Sequence, residues 1–373
     1  MTITAEELYY VALALYGDKD YDKAIEICAD AIKRDPEMVK AYSLQATLYF
    51  IKKDYESAIA NYNEIIKLEP TGTMYLKRGG LYSENDDYDN AIADFNHAMS
   101  LGTNPPSLYF LRGYSYHEKG MYEEALADYN EAIRLKSDLC DAYYNRGRLY
   151  IDREEDYDKA FADLAEALRI DPTHIKSYYC RAKAYLAKED YYNAIADSTE
   201  AIWLDSAYSA LFYTIRGQAY MKLDDIPSAI ADFTKAISLA PNLDNPYFYR
   251  GEAYVQTEDY DSAVADFSEA IRIRPYNVFA YFSRGLAYSQ KDFFDLAIAD
   301  YTEAINLGFI SVHSYYMRAN AYWGKDDYEN AVKDFEKALS LEPDHEDAKE
   351  RLEEVRRLLL ASGSSSGGSN EEL

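Results

Sequence analysis

One short pattern recurs ten times along this chain of 373 residues: an aromatic residue (isoleucine in one copy), two variable residues, alanine and a large apolar residue. In most copies an aromatic residue and a further alanine follow at helical spacing. A period of 33 to 35 residues that fills the chain predicts a solenoid, because no copy can bury its apolar face alone and neighbouring copies must stack. The first alanines of the ten copies are Ala24, Ala58, Ala91, Ala125, Ala160, Ala194, Ala229, Ala263, Ala297 and Ala331.

Each copy has the spacing of two amphipathic helices joined by a short turn. In the copy at residues 108–136, Tyr109, Gly113 and Tyr116 lie on one face of a first helix, and Tyr129 lies on the second. A small residue such as Gly113 is expected where the two helices approach closely. Of the 40 tyrosines, 29 occupy framework positions of this kind. Six second helices are closed by a proline, which cannot continue a helix: Pro36, Pro70, Pro172, Pro241, Pro275 and Pro343.

The period, the glycine or alanine followed by tyrosine, the alanine–aromatic–alanine spacing and the closing proline together resemble the tetratricopeptide repeat family. The resemblance implies an all-α fold, a right-handed superhelical solenoid of ten tandem helix-turn-helix repeats. Residues 345–361 have one apolar helical face and are predicted to form a C-terminal capping helix, followed by a flexible Gly/Ser-rich acidic tail at 362–373. The repeats are predicted at residues 5–38, 39–71, 72–105, 106–139, 140–174, 175–208, 209–243, 244–277, 278–311 and 312–344.

Arginine and aspartate occur together in copies three to ten, and copies one and two lack both. The arginine directly precedes the small residue of the first helix, and the aspartate lies three residues after the first alanine of the second helix. Joint presence and joint absence indicate contact, and pairing within a copy leaves no residue over. We therefore predict a semi-buried structural ion pair in each of eight repeats, in preference to an array of charged binding groups. The arginines are Arg78, Arg112, Arg146, Arg181, Arg216, Arg250, Arg284 and Arg318, and the aspartates are Asp94, Asp128, Asp163, Asp197, Asp232, Asp266, Asp300 and Asp334.

The resemblance also implies that the first helix of each repeat lines an inner groove. Aromatic residues dominate one lining position, which predicts an exposed aromatic track for an extended or helical peptide. The alternative is that tight winding or self-association buries this stripe. Glu84 and Asp141 are among the acidic residues expected along the groove. The predicted groove residues are Tyr9, Tyr10, Phe110, Tyr114, Tyr144, Asn145, Arg148, Lys176, Tyr179, Lys183, Phe248, Tyr249, Phe282 and Tyr316.

Three of the predicted groove residues, Arg148, Lys176 and Lys183, form a basic cluster suited to an acidic side chain or a terminal carboxylate. Solvated side chains on a helix face are the alternative interpretation. Chaperone adaptors of the family hold a terminal carboxylate with a set of five lysine, asparagine and arginine side chains. Only Asn145 and Lys176 fall on matching positions, which disfavours clamp-type chaperone binding.

Composition restricts the other classes of function. The net charge of −27, from 66 acidic and 39 basic residues, disfavours nucleic acid as a partner. No apolar run approaches the length of a membrane span, so direct membrane insertion is not expected. An odd number of widely spaced cysteines, Cys28, Cys140 and Cys180, favours a cytoplasmic location. The five histidines are dispersed and no Gly-rich phosphate loop occurs, so we expect neither an enzyme nor a cofactor or metal.

These observations predict a protein-interaction scaffold that binds an extended or helical peptide segment of a partner in the groove. The alternative is a structural protein that self-associates or polymerises through its solenoid ends or its concave face, so a homo-oligomer is possible. The apolar end of the predicted capping helix, Leu358 to Leu360, supports that alternative. The identity and polarity of the ligand stay open.

Overall fold

The computed structural model describes residues 3–154, 156–204 and 207–365. These residues form 21 helices and no strand. The first helices of the repeats, called A helices below, are α1 (Ala5–Gly17), α3 (Val39–Ile51), α5 (Gly72–Glu84), α7 (Pro106–Glu118), α9 (Cys140–Glu154), α11 (Ile175–Ala187), α13 (Ser209–Lys222), α15 (Asp244–Gln256), α17 (Val278–Gln290) and α19 (Val312–Gly324). The second helices, called B helices, are α2 (Tyr21–Arg34), α4 (Tyr55–Leu68), α6 (Tyr88–Ser100), α8 (Tyr122–Leu135), α10 (Tyr157–Ile170), α12 (Tyr191–Leu204), α14 (Ile226–Leu239), α16 (Tyr260–Ile273), α18 (Phe294–Asn306) and α20 (Tyr328–Leu341). The last helix is α21 (Glu346–Ser365).

The turn from each A helix to its B helix has two local determinants. In repeat eight, Glu258 adopts a left-handed conformation with φ of 59°, which ends α15. Asp259 then caps α16, and its side chain accepts a hydrogen bond from the backbone N–H of Ser262 at 3.2 Å. Such a cap satisfies one of the unpaired N–H groups of a helix start and stabilises the helix by about 1 kcal/mol. The same aspartate cap occurs at Asp20, Asp54, Asp87, Asp156, Asp225 and Asp327.

The A and B helices of a repeat approach closely because small residues lie at their crossing. Gly217 on α13 faces the ring of Phe233 on α14, and a Cβ atom at this glycine would lie 2.6 Å from the ring. Phe233 is fully buried. The small residue and the large ring are therefore complementary, and together they set the distance between the two helices.

The chain divides into two compact units, Met1–Cys180 and Arg181–Leu373. In the first unit, the largest fully buried side chains include Tyr129, Phe95 and Leu48. In the second unit they are mostly phenylalanines of the B helices, among them Phe267 and Phe335. Each unit is thus a stack of helix pairs, and in most repeats one large B-helix side chain lies among alanines in the core. The small residues Cys28 and Ser198 occupy the equivalent buried position in repeats one and six.

The predicted ion pairs are confirmed in all eight repeats. In repeat eight, Arg250 Nε and Nη2 donate to the two carboxylate oxygens of Asp266 at 2.7 and 2.8 Å. These hydrogen bonds raise the pKa of Arg250 above its ordinary value, so the guanidinium stays charged. The other pairs with the same two-bond geometry are Arg78–Asp94, Arg112–Asp128, Arg146–Asp163, Arg181–Asp197, Arg216–Asp232, Arg284–Asp300 and Arg318–Asp334.

The same arginine also reaches the preceding repeat. Arg250 Nη1 donates to the Thr234 hydroxyl on α14 at 3.0 Å. The rings of Tyr247 and Tyr254 lie on either side of the guanidinium, with centroids 6.0 and 5.9 Å from its carbon. One guanidinium therefore connects three helices, and two framework tyrosines cover its faces by cation–π contact.

Helix α21 covers the end of the last repeat, where the sequence predicts a capping helix. Leu352 and Val355 are buried in one cluster with Phe335 of α20. Arg351 lies over the ring of Trp323, 4.5 Å from its centroid. The helix continues through Ser365, past the predicted end at residue 361. The remainder of the predicted tail, residues 366–373, lies outside the described residues.

Candidate peptide-binding site

A pocket of about 480 Å³ lies in the first unit, among α5, α7, α9 and the start of α11. It brings together six of the predicted groove residues: Phe110, Tyr114, Tyr144, Asn145, Arg148 and Lys176. Glu84 and Asp141, the acidic residues expected along the groove, also line it. Sequence reasoning missed Ser83, Asp86 and Leu111. Ser83 and Leu111 share the periodicity of the A helices, whereas Asp86 lies in a turn and has no such signal.

Three half-buried aromatic side chains form the walls of this pocket. The ring of Tyr114 meets Tyr88 edge-on at 6.3 Å, and that of Tyr144 meets His174 edge-on at 5.2 Å. Phe110 leans on the buried ring of Tyr129 at 6.4 Å. Each wall is therefore supported from behind by a second ring, which holds it in place while one part faces the pocket.

Outside this pocket, the prediction of an exposed aromatic track is corrected. Phe282 is only 7% exposed and packs on Tyr301 at 5.4 Å. Phe248 and Tyr316 are half-buried and pack on the B-helix phenylalanines of their own repeats at 5.8 and 5.7 Å. The physical reason is that the large B-helix ring offers apolar surface close to this A-helix position. These side chains are therefore buried or half-buried within their own repeats, and neither winding nor self-association is needed to cover them.

The other predicted groove residues are in different surroundings. Tyr10 is 58% exposed, and Tyr9 lines a shallow depression of about 670 Å³, where the Lys40 ammonium lies 4.9 Å from its ring centroid. In the second unit, Tyr249 is half-buried and stacks on Phe233 at 6.0 Å. Tyr179 is half-buried at the end of the first unit, and Lys183 is exposed in the second.

The expected basic cluster is locally neutralised. Arg148 pairs with Glu118, and its Nε lies 3.6 Å from an Asp152 oxygen. Asn145, predicted as a groove residue, is only 6% exposed, and its Nδ2 donates to the backbone carbonyl of Asp141 at 2.8 Å. Lys176 stays exposed at the rim. The pocket therefore carries charges of both signs.

Buried polar groups lie behind the pocket. Burial, together with the charge of Arg148, lowers the pKa of His117, although Asp152 lies 3.3 Å from its Nε2. Within the described residues, His117 Nδ1, Tyr129 Oη and Arg148 Nε are buried and have no hydrogen-bond partner. The Asp152 carboxylate 3.6 Å from Arg148 Nε compensates the charge of this buried group, so the cost of the missing hydrogen bond is reduced.

Two further properties concern the described residues as a whole. Among them, no group of three or more histidine, cysteine, aspartate or glutamate side chains is arranged to hold a metal ion. None of the helices in that part of the chain combines the length and apolar character needed to cross a bilayer.

Family profiles recognise the repeats along most of the chain. Profiles described as tetratricopeptide repeat match residues 11–73, 72–101, 141–174, 210–243 and 312–345, and one described as TPR repeat matches residues 113–152 and 251–292. Together these ranges span more than half of the sequence. The chain belongs to the tetratricopeptide repeat family. Tetratricopeptide repeats are interaction surfaces, so at this level the chain is a protein-interaction scaffold.

Two solved structures are similar to this chain at low sequence identity. The crystal structure of the APC/C hetero-tetramer Cut9–Hcn1 matches with a TM-score of 0.53 and 14% identity, over 94% of this chain and 83% of that chain. The crystal structure of MamA matches with a TM-score of 0.39 and 27% identity, over 42% of this chain and 91% of that chain. The first likeness supports the solenoid fold alone. No curated protein matches the chain.

Proposed function

We propose that this scaffold binds an extended or helical peptide segment of a partner protein, with the pocket of α5, α7, α9 and α11 as the central contact. The observation that carries the proposal is the pocket itself, in which three supported aromatic walls surround the guanidinium of Arg148. Its volume of about 480 Å³ lies in the range of binding sites that take one or two side chains. An anchor side chain of a peptide fits this description.

Polar groups at the pocket suit the peptide main chain. Because Asn145 Nδ2 is used within the helix, its amide oxygen is the group left to accept from a ligand N–H. The ammonium of Lys176, which is exposed at the rim, is a donor that suits a ligand carbonyl. A nearby acceptor and donor match the alternating polar groups of a polypeptide backbone.

The charges at the pocket rim influence which side chains of a ligand are preferred. Glu84, Asp86 and Asp141 face two cations, Arg148 and Lys176. With both signs present, shape and main-chain hydrogen bonds select the ligand more than net charge does. The preferred anchor is therefore an aromatic or long aliphatic side chain, and a run of acidic residues is disfavoured.

The test is a screen of random dodecapeptides against the wild-type chain, followed by affinity measurements on variants. Tyr114→Ala removes one pocket wall, and we expect the selected peptides to bind it at least tenfold more weakly, about 1.4 kcal/mol. Tyr276→Ala is the matched control, because Tyr276 is 78% exposed and lies in the second unit. Selected peptides that bind Tyr114→Ala as tightly as the wild type would refute the proposal, provided that its thermal melting shows a folded chain.

A second candidate is a structural role through self-association. Leu360 is 76% exposed and Leu358 is 36% exposed near the end of α21, and apolar side chains in solvent favour contacts between copies. Sedimentation velocity over a wide concentration series distinguishes the two functions. A monomer at every concentration rules out self-association, whereas a peptide-binding scaffold requires no oligomer.

We further propose that the scaffold is non-enzymatic and cytoplasmic and acts without nucleic acid. The odd number and wide spacing of Cys28, Cys140 and Cys180 support a reducing compartment. The net charge of −27 opposes binding to phosphate backbones. Cell fractionation checks the location, and a filter-binding assay with DNA and RNA at low salt checks the exclusion of nucleic acid.

A further inference from the structure

Helix α12 presents two large aromatic side chains to solvent on one face. Trp203 is 82% exposed and Tyr192 is 76% exposed. They are eleven residues apart, which places them on nearly the same face of the helix and about 16 Å apart along its axis. Two exposed small residues, Ala196 and Thr199, lie between them on this face. The result is an uncharged strip with an aromatic side chain at each end, called the α12 strip below.

Comparison of the ten repeats shows that the fold does not need these aromatic side chains. The position of Tyr192 is aspartate or glutamate in eight of the other nine repeats and proline, Pro227, in the ninth. The position of Trp203 is lysine, arginine, serine or asparagine in all nine. Because polar residues serve at both positions elsewhere, the aromatic pair is a feature of repeat six alone.

The replacement at Tyr192 is accompanied by a second one in the next repeat. Elsewhere in this unit, the acidic residue forms an exposed ion pair with a basic residue at the end of the following A helix, as in Asp261–Lys291 and Asp295–Lys325. At repeat six the acidic position is Tyr192, and the corresponding basic position is Leu223. Both positions of the ion pair are therefore apolar here, which extends the uncharged surface.

Two turns near the end of the strip at Tyr192 contain more acidic than basic residues, because the exposed Lys188 and Lys222 are outnumbered two to one. Glu189 lies just before α12, and Asp224 and Asp225 lie just before α14; all three are exposed. Glu200 adds an exposed carboxylate on α12 itself. An apolar centre with an acidic rim complements an apolar segment flanked by lysine or arginine. A second copy of this chain, with its net charge of −27, would bring like charges together at the same rim.

We propose that the α12 strip docks an amphipathic helix of a partner protein whose apolar face is flanked by lysine or arginine. Trp203 and Tyr192 are the anchors, since tryptophan and tyrosine dominate interface energies. The small residues between them leave room for the partner's apolar side chains, as in helix packing. The rim carboxylates orient the partner through its basic flanks. This surface is on a B helix and is a different site from the pocket in the first unit.

The test uses a defined probe, a synthetic peptide with leucine on one helical face and lysine on the other. Its affinity is measured by calorimetry for the wild type and for Trp203→Ser and Tyr192→Asp, which introduce residue types found at these positions in other repeats. We expect at least a tenfold loss of affinity for each variant. In a Trp323→Phe background, Trp203 is the only tryptophan, and its emission should shift to shorter wavelength when the peptide binds.

The controls distinguish docking from non-specific attraction. Tyr192→Asp adds a negative charge, so mere attraction of a cationic peptide predicts equal or tighter binding, whereas docking predicts weaker binding. Ser238→Ala, at the Trp203 position of repeat seven, should bind like the wild type. Equal affinity of the wild type and Trp203→Ser for the peptide overturns the proposal. A dimer in sedimentation velocity that Trp203→Ser converts into a monomer also overturns it, because the occupant is then a second copy.

Discussion

Replacing Asp266 by alanine should strongly destabilise repeat eight. In the wild type, Arg250 makes two short hydrogen bonds to this carboxylate and a third to Thr234 of the preceding repeat. The side chains are 17% and 8% exposed, respectively. The substitution leaves a nearly buried guanidinium with one neutral hydroxyl and two tyrosine faces as its remaining partners.

The size of the effect follows from this geometry. Removing one partner of a buried ion pair costs about 3–5 kcal/mol, because the other charge is left without compensation. Arg250 keeps its bond to Thr234 and some contact with water, so we expect the lower end, about 3 kcal/mol. Removing both charges in Asp266→Ala/Arg250→Met eliminates the stranded guanidinium. The double variant should therefore lie within about 1 kcal/mol of the wild type.

Urea unfolding followed by far-ultraviolet circular dichroism measures the loss of stability. Faster hydrogen exchange in α15 and α16 should accompany the loss of stability, because a solenoid can open locally. Glu269→Ala is the control, since Glu269 pairs with Arg272 in the same helix, where the two side chains are 44% and 61% exposed. That exposed pair should contribute less than about 0.5 kcal/mol. Equal effects of Asp266→Ala and Glu269→Ala, or a double variant worse than the single one, would refute the reasoning.

Three other predictions address the core, the pH dependence and the cap. Burial lowers the pKa of His117, so this histidine stays neutral in the folded chain while the unfolded chain takes up a proton. Stability should therefore fall as pH drops below about 6.5. The variant His117→Gln should reduce the difference in urea midpoint between pH 7.5 and 5.5. Gly217→Ala should lower the free energy of unfolding by about 1–3 kcal/mol, because the added Cβ atom would collide with Phe233. Gly80→Ala should instead stabilise α5 by about 0.5–1 kcal/mol in the same urea assay, because a Cβ atom at Gly80 would have no other atom within 4 Å. Leu352→Ala should destabilise the packing of α21 on the last repeat by about 2–4 kcal/mol, because it removes a buried side chain. Protease cleavage between α20 and α21 should then be faster. An unchanged cleavage rate would contradict the packing described.

Sequence periodicity was sufficient for the architecture because a repeat protein contains its own comparison. Ten copies with one spacing predicted the helix pairs, and the joint presence of arginine and aspartate predicted the Arg250–Asp266 contact and its seven equivalents. The third contact that seven of these arginines make, to the B helix before them, was not predicted. The partner there is Asn63 in one repeat and Thr234 in another, so no single residue type marks the position.

The candidate site was predicted only in part. Phe110 and Tyr144 occupy the same position of the repeat as Phe282, yet the first two line a pocket and the last is buried. The pattern does not reveal the difference, because it depends on the rings and loops of neighbouring repeats. Ion pairing had a similar effect, since the Glu118 partner of Arg148 turned a predicted cation cluster into a locally neutral rim.

By itself, the sequence determined the family, the all-α solenoid of paired helices and the ion pairs within the repeats, because each depends on residues at a constant spacing in successive copies. The tertiary structure alone decided which aromatic side chains reach solvent. Exposure is a property of the surface that remains after neighbouring helices have packed. Phe282 faces the large ring of its B helix and is buried, whereas Trp203 lies on the outer face of α12 and is 82% exposed.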